Sequence, residues 1–223
     1  MRSFSDYEKR VLDQICRVDP MELITMSKFI SNQIFTVNSG LALAFLPSRG
    51  EAVLYLKGTI RDASNRQRML EFLELISLIE YLRSERYIHS IHLTATAQLY
   101  IMGEGFDDIS NNDRGDIVLN KLGHHIKPAD AGWIYNSQGV KEYQGLIFRK
   151  NESSVYDVVS NFVSSPLVAT QELQDFVNSG HKTREDVRYE QSKLYTRWAL
   201  GVAILFGIVS TFIGVISLVT GCS

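Results

Sequence analysis

An uncharged stretch near the C-terminus constrains this chain more than any other feature of its sequence. Residues 198–220, WALGVAILFGIVSTFIGVISLVT, contain no Asp, Glu, Lys or Arg. As a helix they would extend about 35 Å, enough to cross a hydrocarbon core of about 30 Å. A buried core helix is the alternative, but core helices rarely run this far without a charge. The sequence therefore predicts one transmembrane helix over 198–220.

Charged residues on the N-terminal side of this stretch predict its orientation. The segment 182–197 contains five Lys or Arg and three Asp or Glu, whereas only Gly221, Cys222 and Ser223 follow the stretch. Positively charged flanks stay on the cytoplasmic side, and they also attract anionic headgroups. The first ten residues hold no apolar segment, so no secretory signal peptide is expected. We expect a single-pass protein of the lipid bilayer with a cytoplasmic N-terminal domain.

Small residues recur in the apolar stretch at intervals of four and three, which places them on one face of a helix. This small-residue stripe consists of Ala203, Gly207, Ser210, Gly214, Ser217 and Gly221. Small residues let membrane helices approach closely, and Phe206 and Leu218 beside the stripe are candidates for an apolar gate. The stripe is compatible with an inert anchor, with oligomerisation alone, or with the lining of a pore.

The rest of the chain predicts an α+β domain over 1–165, followed by a helical connector over 166–197 that Ser179-Gly180 interrupts. Apolar periodicity and turn residues predict the elements of this domain. Helices are expected at 6–18, 20–34, 64–86 and 154–164, strands at 41–45, 52–56, 131–136 and 143–150, and one or two further strands within 87–103. Residues 47–50 form the turn of a hairpin.

Two helices, a hairpin and another helix are compatible with a winged-helix-like start. Winged helices bind DNA when the recognition helix and the wing are basic. The second helix carries only Lys28, whereas the hairpin and its surroundings carry Arg49, Lys57 and Arg61. A membrane-tethered binding or transcription-regulating module is therefore the alternative function.

Recognisable catalytic chemistry is missing from the sequence. There is no phosphate-binding Gly-rich loop with Lys-Ser/Thr, no GxSxG and no HExxH. A net charge of −2 and two cysteines argue against a nucleic-acid coat protein and a disulfide scaffold. Cys16 is expected in the core. The sequence predicts neither an enzyme nor a cofactor nor a metal site.

One basic cluster is a candidate ligand site. Four of its members lie within seven residues, and two more end a later strand. They are Lys121, His124, His125, Lys127, Arg149 and Lys150. Such side chains form charge-assisted hydrogen bonds with anions, for instance a nucleotide or a short oligonucleotide. The alternative is an exposed basic loop without a ligand.

Two segments resemble those of single-pass membrane effectors of bacterial anti-phage defence, most nearly the Hailong-type channel effector. They are SDYEKRVLDQI at the start and YEQSKLYTRWALGVAILFGIVSTFIGVI from the connector into the apolar stretch. The resemblance is one of architecture. It implies an oligomeric channel of the bacterial inner membrane, for example a tetramer, held shut by a short DNA oligomer. In such systems a nucleotidyltransferase-type partner makes the signal.

The predicted function is thus a ligand-gated homo-oligomeric channel with a cytosolic domain that senses a nucleotide or an oligonucleotide.

Overall fold

The structure, a computed structural model, describes residues 3–22, 24–36, 39–89, 99–103, 106, 108–127, 130–182, 185–186 and 188–200. The described part is α+β, as the sequence predicts. Contacts divide the chain after Gln174 into a larger N-terminal unit and a C-terminal unit.

A curled antiparallel sheet forms the centre of the N-terminal unit. Its eight described strands follow the order β3-β1-β2-β8-β7-β6-β5-β4, and every neighbouring pair is antiparallel. The strands are β1 (Leu41–Leu46), β2 (Glu51–Lys57), β3 (Tyr100–Met102), β4 (Ile109–Asn111), β5 (Ile117–Leu119), β6 (His124–Lys127), β7 (Asp130–Tyr135) and β8 (Lys141–Arg149).

The described part of the chain also contains several helices. They are α1 (Asp6–Cys16), a 3-10 turn (Pro20–Glu22), α2 (Met26–Phe29) with a π-helical turn (Ile30–Ile34), α3 (Ala63–Ser84), α4 (Ser154–Phe162), α5 (Gln171–Asn178) and α6 (188–200). Of these, α1 to α4 belong to the N-terminal unit. A capping box opens α1, because the Ser5 hydroxyl accepts from the Glu8 amide and the Glu8 carboxylate accepts from the Ser5 amide.

Strands β1 and β2 are buried on both faces. On one face, Phe148 of β8 packs on Phe72 of α3, and Phe45 packs on Tyr156 of α4. On the other face, Ala42, Ala44, Val53 and Tyr55 join Ile126 and Ile134 in a core inside the curl of the sheet. The hairpin is therefore a central element of the fold.

The curl is tightest around Gly145 of β8, opposite Tyr55 in the register. A Cβ at this position would lie 2.7 Å from Cγ1 of Val53 and 3.1 Å from the carbonyl oxygen of Gly132. The Tyr55 hydroxyl crosses the curl and donates to the carbonyl of Ala131 at 2.7 Å. Only a residue without a side chain fits here, which lets β2 and β7 approach each other.

Most predicted elements of the domain are confirmed, with two differences, and the structure adds three short strands, β4, β5 and β6, that the sequence does not predict. The predicted helix over 20–34 is split into a 3-10 turn, a short α-helix and a π-helical turn. The hairpin β1–β2 is not an exposed wing, because its strands pair with β3 and β8 and are almost fully buried. The winged-helix-like start is therefore wrong. Residues 90–98 of the predicted strand region 87–103 lie outside the described residues, and β3 lies near the end of that region.

The connector is interrupted where the sequence predicts. Gly180, with φ of 74°, ends α5 in a Schellman arrangement, since its amide donates to Val177 and the amide of His181 donates to Phe176. Within the described residues, no helix combines the length and apolarity needed to cross a membrane. The predicted span 198–220 falls outside the described residues from 201 onward.

Candidate functional site

The structure distributes the predicted basic cluster over separate places. His125 and Lys127 lie on β6, and Lys121 lies in the turn before that strand. His124 also lies on β6 but joins a different set of contacts, described below. Arg149 and Lys150 lie at the far end of β8. They are seven or more residues from Glu142, the residue of β8 that contacts His124, and this separation corresponds to about 23 Å along a strand. The six residues thus do not form one patch.

Two members of the predicted cluster combine with three residues of neighbouring strands to form an aromatic-basic surface. Its members are His125, Lys127, Trp133, Tyr135 and Lys141. The His125 ring stacks on Tyr135 with a centroid separation of 5.4 Å and an interplanar angle of 17°. The Lys127 ammonium lies 4.3 Å from the Tyr135 ring centroid, and the Lys141 ammonium lies 4.5 Å from that of Trp133.

The register of three adjacent strands creates this surface. His125 of β6 faces Tyr135 of β7, which in turn faces Lys141 of β8. Bulges after Ile126 and after Ile134 shift the pairing. Side chains from three consecutive strands therefore meet as cross-strand neighbours.

One carboxylate lies at the edge of the aromatic-basic surface. The Tyr135 hydroxyl donates to Asp130 at 2.5 Å, and the Lys141 ammonium lies 3.7 Å from the same carboxylate. The hydrogen bond to Asp130, followed by burial and by the negative charge of Asp130, raises the pKa of Tyr135. Tyr135 therefore stays neutral at physiological pH, and the carboxylate of Asp130 contacts Lys141.

The aromatic-basic surface has the chemistry of a site for a nucleotide or a single strand. Ammonium groups attract phosphates, and aromatic rings stack on bases without requiring a particular sequence. The lysines already lie over aromatic rings, an arrangement stabilised by cation–π attraction. A phosphate approaching from solvent would meet both lysines beside the rings of Trp133 and His125.

His124 belongs instead to an ionic group that we call the Glu142 cluster, made of Lys57, His124, Glu142 and Tyr143. Nε2 of His124 contacts Glu142 at 2.9 Å, and Lys57 reaches the other carboxylate oxygen at 3.0 Å. Nδ1 of His124 lies 2.7 Å from the carbonyl of Leu122. Both ring nitrogens of His124 thus lie within hydrogen-bond distance of an oxygen atom.

Ionisation within the Glu142 cluster reflects these pairs. Burial opposes the charge of Glu142, but hydrogen bonds from Lys57 and His124 and their positive charges outweigh burial and lower the pKa of Glu142. The hydrogen bond to Glu142 is the main cause that raises the pKa of Lys57. The cluster links β2, β6 and β8, and its basic side chains contact the carboxylate of Glu142 within the cluster. We therefore assign His124 a structural role.

We expect Glu142→Gln to destabilise the folded chain by about 1 kcal/mol at neutral pH, because Lys57 and His124 lose the carboxylate that both of them contact. The pKa of Glu142 is lower in the folded than in the unfolded state, so its contribution is complete above the unfolded value of 4.5. That contribution is lost as the pH falls from there through the folded-state pKa. Urea unfolding of wild type and variant across acidic pH measures the difference.

The exposed Glu152, just beyond β8, offers a matched control for this measurement. Glu152→Gln removes the same charge and should change the unfolding midpoint little. A gap between Glu142→Gln and wild type that stays constant from neutral to strongly acidic pH would contradict the assigned role of the carboxylate.

Sequence reasoning missed Trp133, Tyr135 and Lys141 as partners of His125 and Lys127. The alternation in the predicted strand 131–136 places Trp133 and Tyr135 on one face. Tyr135 is a cross-strand neighbour of His125, so it can be assigned as a partner only once the pairing of β6 with β7 is known. The register of the strands therefore determines which side chains meet, and local sequence does not reveal this register.

Other predicted site residues have different outcomes. The small-residue stripe, together with Phe206 and Leu218, lies outside the described residues. Burial, followed by the charge of Asp13, raises the pKa of the partly buried Cys16 thiol to about 11, so this thiol is a poor nucleophile. Among the described residues, no group of three or more His, Cys, Asp or Glu side chains is arranged to hold a metal ion.

Comparisons with known proteins do not indicate a function for this chain. No protein family, no curated protein and no solved structure matches this chain.

Proposed function

We propose that the chain is a single-pass membrane effector of the bacterial inner membrane, acting in anti-phage defence. In this proposal, residues 198–220 of several copies form a pore, and the N-terminal domain controls it in response to a nucleotide or a short oligonucleotide. The partner would be a nucleotidyltransferase-type enzyme that makes this signal. The chain itself carries out no catalysis in this scheme.

The observation that carries the proposal is the helix leading into the uncharged stretch. In α6 five large apolar side chains are between 56% and 72% exposed, which a water-soluble helix would avoid. They are Tyr189, Leu194, Tyr195, Trp198 and Leu200. Aromatic side chains at the start of an apolar segment suit the membrane interface, and Lys193 and Arg197 suit its cytoplasmic side.

The aromatic-basic surface supports the sensing part of the proposal. It offers ammonium groups and aromatic rings together, whereas a site for a simple anion needs only the charges. Nucleotides and short oligonucleotides carry both a phosphate and a base, so they use both features. This reasoning favours a nucleic-acid signal over an inorganic anion.

Planar-bilayer recording of the purified full-length protein tests the proposed function. We expect discrete single-channel currents whose open probability changes when a short single-stranded DNA oligomer is added to the side of the N-terminal domain. The samples are first stripped of nucleic acid by high salt and nuclease, and insertion into the bilayer is verified. The absence of currents from such inserted protein would overturn the proposal of a pore.

We expect the double variant Lys127→Gln, Lys141→Gln to weaken binding of a short single-stranded DNA oligomer at least tenfold. Each phosphate contact that is lost should also lower the slope of log affinity against log salt by about 0.7. Fluorescence anisotropy of a labelled oligomer with the full-length protein in detergent measures both quantities.

The double variant Lys9→Gln, Lys28→Gln is a matched control, because it removes the half-buried Lys9 of α1 and the exposed Lys28 of α2. It changes the net charge equally and should retain most of the affinity. Equal affinities of the two double variants would show that general charge, and not the aromatic-basic surface, attracts the oligomer.

A further inference from the structure

Strand β4 forms one edge of the curled sheet, and no described strand pairs with its outer side. Just before β4, the carbonyl of Asp108 accepts from the amide of Asn120 at 2.9 Å and so faces β5. Backbone groups alternate in direction along an antiparallel strand, so those of Ile109 and Asn111 point away from β5. None of the hydrogen bonds of the described residues uses these groups. The edge therefore offers two N–H and two C=O groups to another strand.

An aliphatic cleft of about 440 Å³ lies beside this edge. All three residues of β4 line it, and its aliphatic lining also includes Leu46, Leu99, Ile117 and Ile126. Ile109 shares a face with its register partner Leu119, which is buried in the core inside the curl. Successive side chains of a strand point to opposite faces. A strand added to β4 would therefore direct every second side chain towards the cleft.

The charge around the edge of β4 is negative. Between positions 108 and 116 a single arginine, Arg114, accompanies three aspartates, which are Asp108, Asp113 and Asp116. Among the described residues, none of these aspartates forms an ion pair. The one cation in the described lining of the cleft, Arg49, is paired with Glu51 at 3.0 Å. The charge available to a ligand at this edge is therefore that of the carboxylates.

From these features we propose that β4 binds an extended segment of a partner protein in which apolar and basic residues alternate. The segment continues the antiparallel pattern of the sheet, with its apolar side chains in the cleft. Its basic side chains face the opposite side, to which Asp108 belongs by alternation. A second copy of β4 is a poorer occupant, because edge-to-edge pairing would bring the aspartates of both copies together. The proposal is independent of the proposed channel function.

Fluorescence anisotropy of the labelled peptide Lys-Val-Lys-Val-Lys-Val-Lys tests the proposal with the full-length protein in phosphatidylcholine nanodiscs. Empty nanodiscs measure the binding of the peptide to lipid. We expect saturable binding of one peptide per chain above that background. The isomer Lys-Lys-Val-Val-Val-Lys-Lys, which has the same charge but no alternation, should bind about tenfold more weakly. Binding that does not exceed the background, or equal affinity for the isomer, would overturn the proposal.

Methylation of the peptide amides tests whether the peptide pairs as a strand. In antiparallel pairing the valines lie opposite Ile109 and Asn111, so their N–H groups donate to β4 whereas the lysine N–H groups point away. N-methylation of the three valines should weaken binding about thirtyfold, because two hydrogen bonds are lost. N-methylation of three lysines is the matched control and should leave most of the affinity. Equal affinities of the two methylated peptides would exclude strand pairing and overturn the proposal.

Asn111→Pro tests the same contact from the side of the protein. Proline lacks an N–H group and is tolerated on an edge strand where that group faces outward. We expect peptide binding to weaken about tenfold, whereas Asn111→Ala, which keeps the N–H group, should bind as the wild type does. The urea unfolding midpoint of both variants should equal that of the wild type. Equal peptide affinities of the two variants would contradict the assignment of the edge.

A second pair of variants tests the charges. The double variant Asp108→Asn, Asp113→Asn should weaken peptide binding about fivefold, since two exposed ion pairs are lost. The matched control is Glu80→Gln, Glu85→Gln, which removes two exposed carboxylates at α3, outside the described lining of the cleft. Equal losses in both double variants would show that general charge attracts the peptide. Loss of assembly in Asn111→Pro by light scattering, without peptide binding to the wild type, would assign the edge to a second copy. Either result would overturn the proposal.

Discussion

Gly145→Ala should lower the free energy of unfolding by about 3 kcal/mol, the upper part of the range for overpacked cores. The new methyl group would lie 2.7 Å from Cγ1 of Val53 and 3.1 Å from both the Gly132 carbonyl oxygen and a ring carbon of Tyr55. None of these atoms moves easily. Val53 and Tyr55 are fully buried, and the Tyr55 hydroxyl is held by the Ala131 carbonyl.

Thermal unfolding of the full-length protein, followed by tryptophan fluorescence, measures this effect. For a unit of this size, 1 kcal/mol corresponds to a shift of about 2–4 °C, so the expected loss is about 6–12 °C. Gly132→Ala on the neighbouring strand is the matched control, because its nearest contact would be an ordinary 3.7 Å to Asp130. Val53→Ala should partly rescue Gly145→Ala, since it removes the closest atom. Equal melting of the two glycine variants would contradict the steric account.

The hairpin β1–β2 illustrates what local sequence can predict. Its two apolar runs, bounded by Pro47 and Gly50, specify the strands and the turn, and the structure confirms them. Burial on both faces explains why these runs are almost continuously apolar. The runs do not reveal that β8 pairs with β2, because this pairing joins residues about ninety positions apart.

The winged-helix interpretation failed for the same reason. Helix, helix, hairpin and helix follow one another along the chain, and this order is compatible with more than one fold. The distinction depends on what pairs with the outer edges of the hairpin. Those partners, β3 and β8, come from later segments.

For the candidate site, the sequence likewise predicts some of the basic residues but not their partners on neighbouring strands. The density of basic residues over 121–127 drew attention to β6, where His125 and Lys127 do contribute to the aromatic-basic surface. Alternation along a strand places His124 and His125 on opposite faces, so the two rings have different neighbours. The carboxylate that engages His124 is Glu142 of β8, eighteen residues further along.

The largest functional effect is expected from Gly214→Ile in the small-residue stripe. Ile adds a branched side chain at the centre of the one face where neighbouring helices can approach closely. If that face lines or packs a pore, the added volume closes it or separates the helices. The uncharged stretch remains fully apolar, so membrane insertion should be unchanged. We expect single-channel currents to disappear while the amount of protein recovered in the membrane fraction stays the same.

Val209→Ile is the matched control, because it also introduces Ile but on the face opposite the stripe. The comparison separates the three interpretations of the stretch when currents and cross-linked oligomers are measured on the same samples. An inert anchor predicts no oligomers and no currents in any variant. Oligomerisation alone predicts oligomers that Gly214→Ile disrupts, without currents in the wild type. A pore predicts currents in the wild type and in Val209→Ile that Gly214→Ile abolishes, and currents that persist in Gly214→Ile would exclude the stripe as its lining.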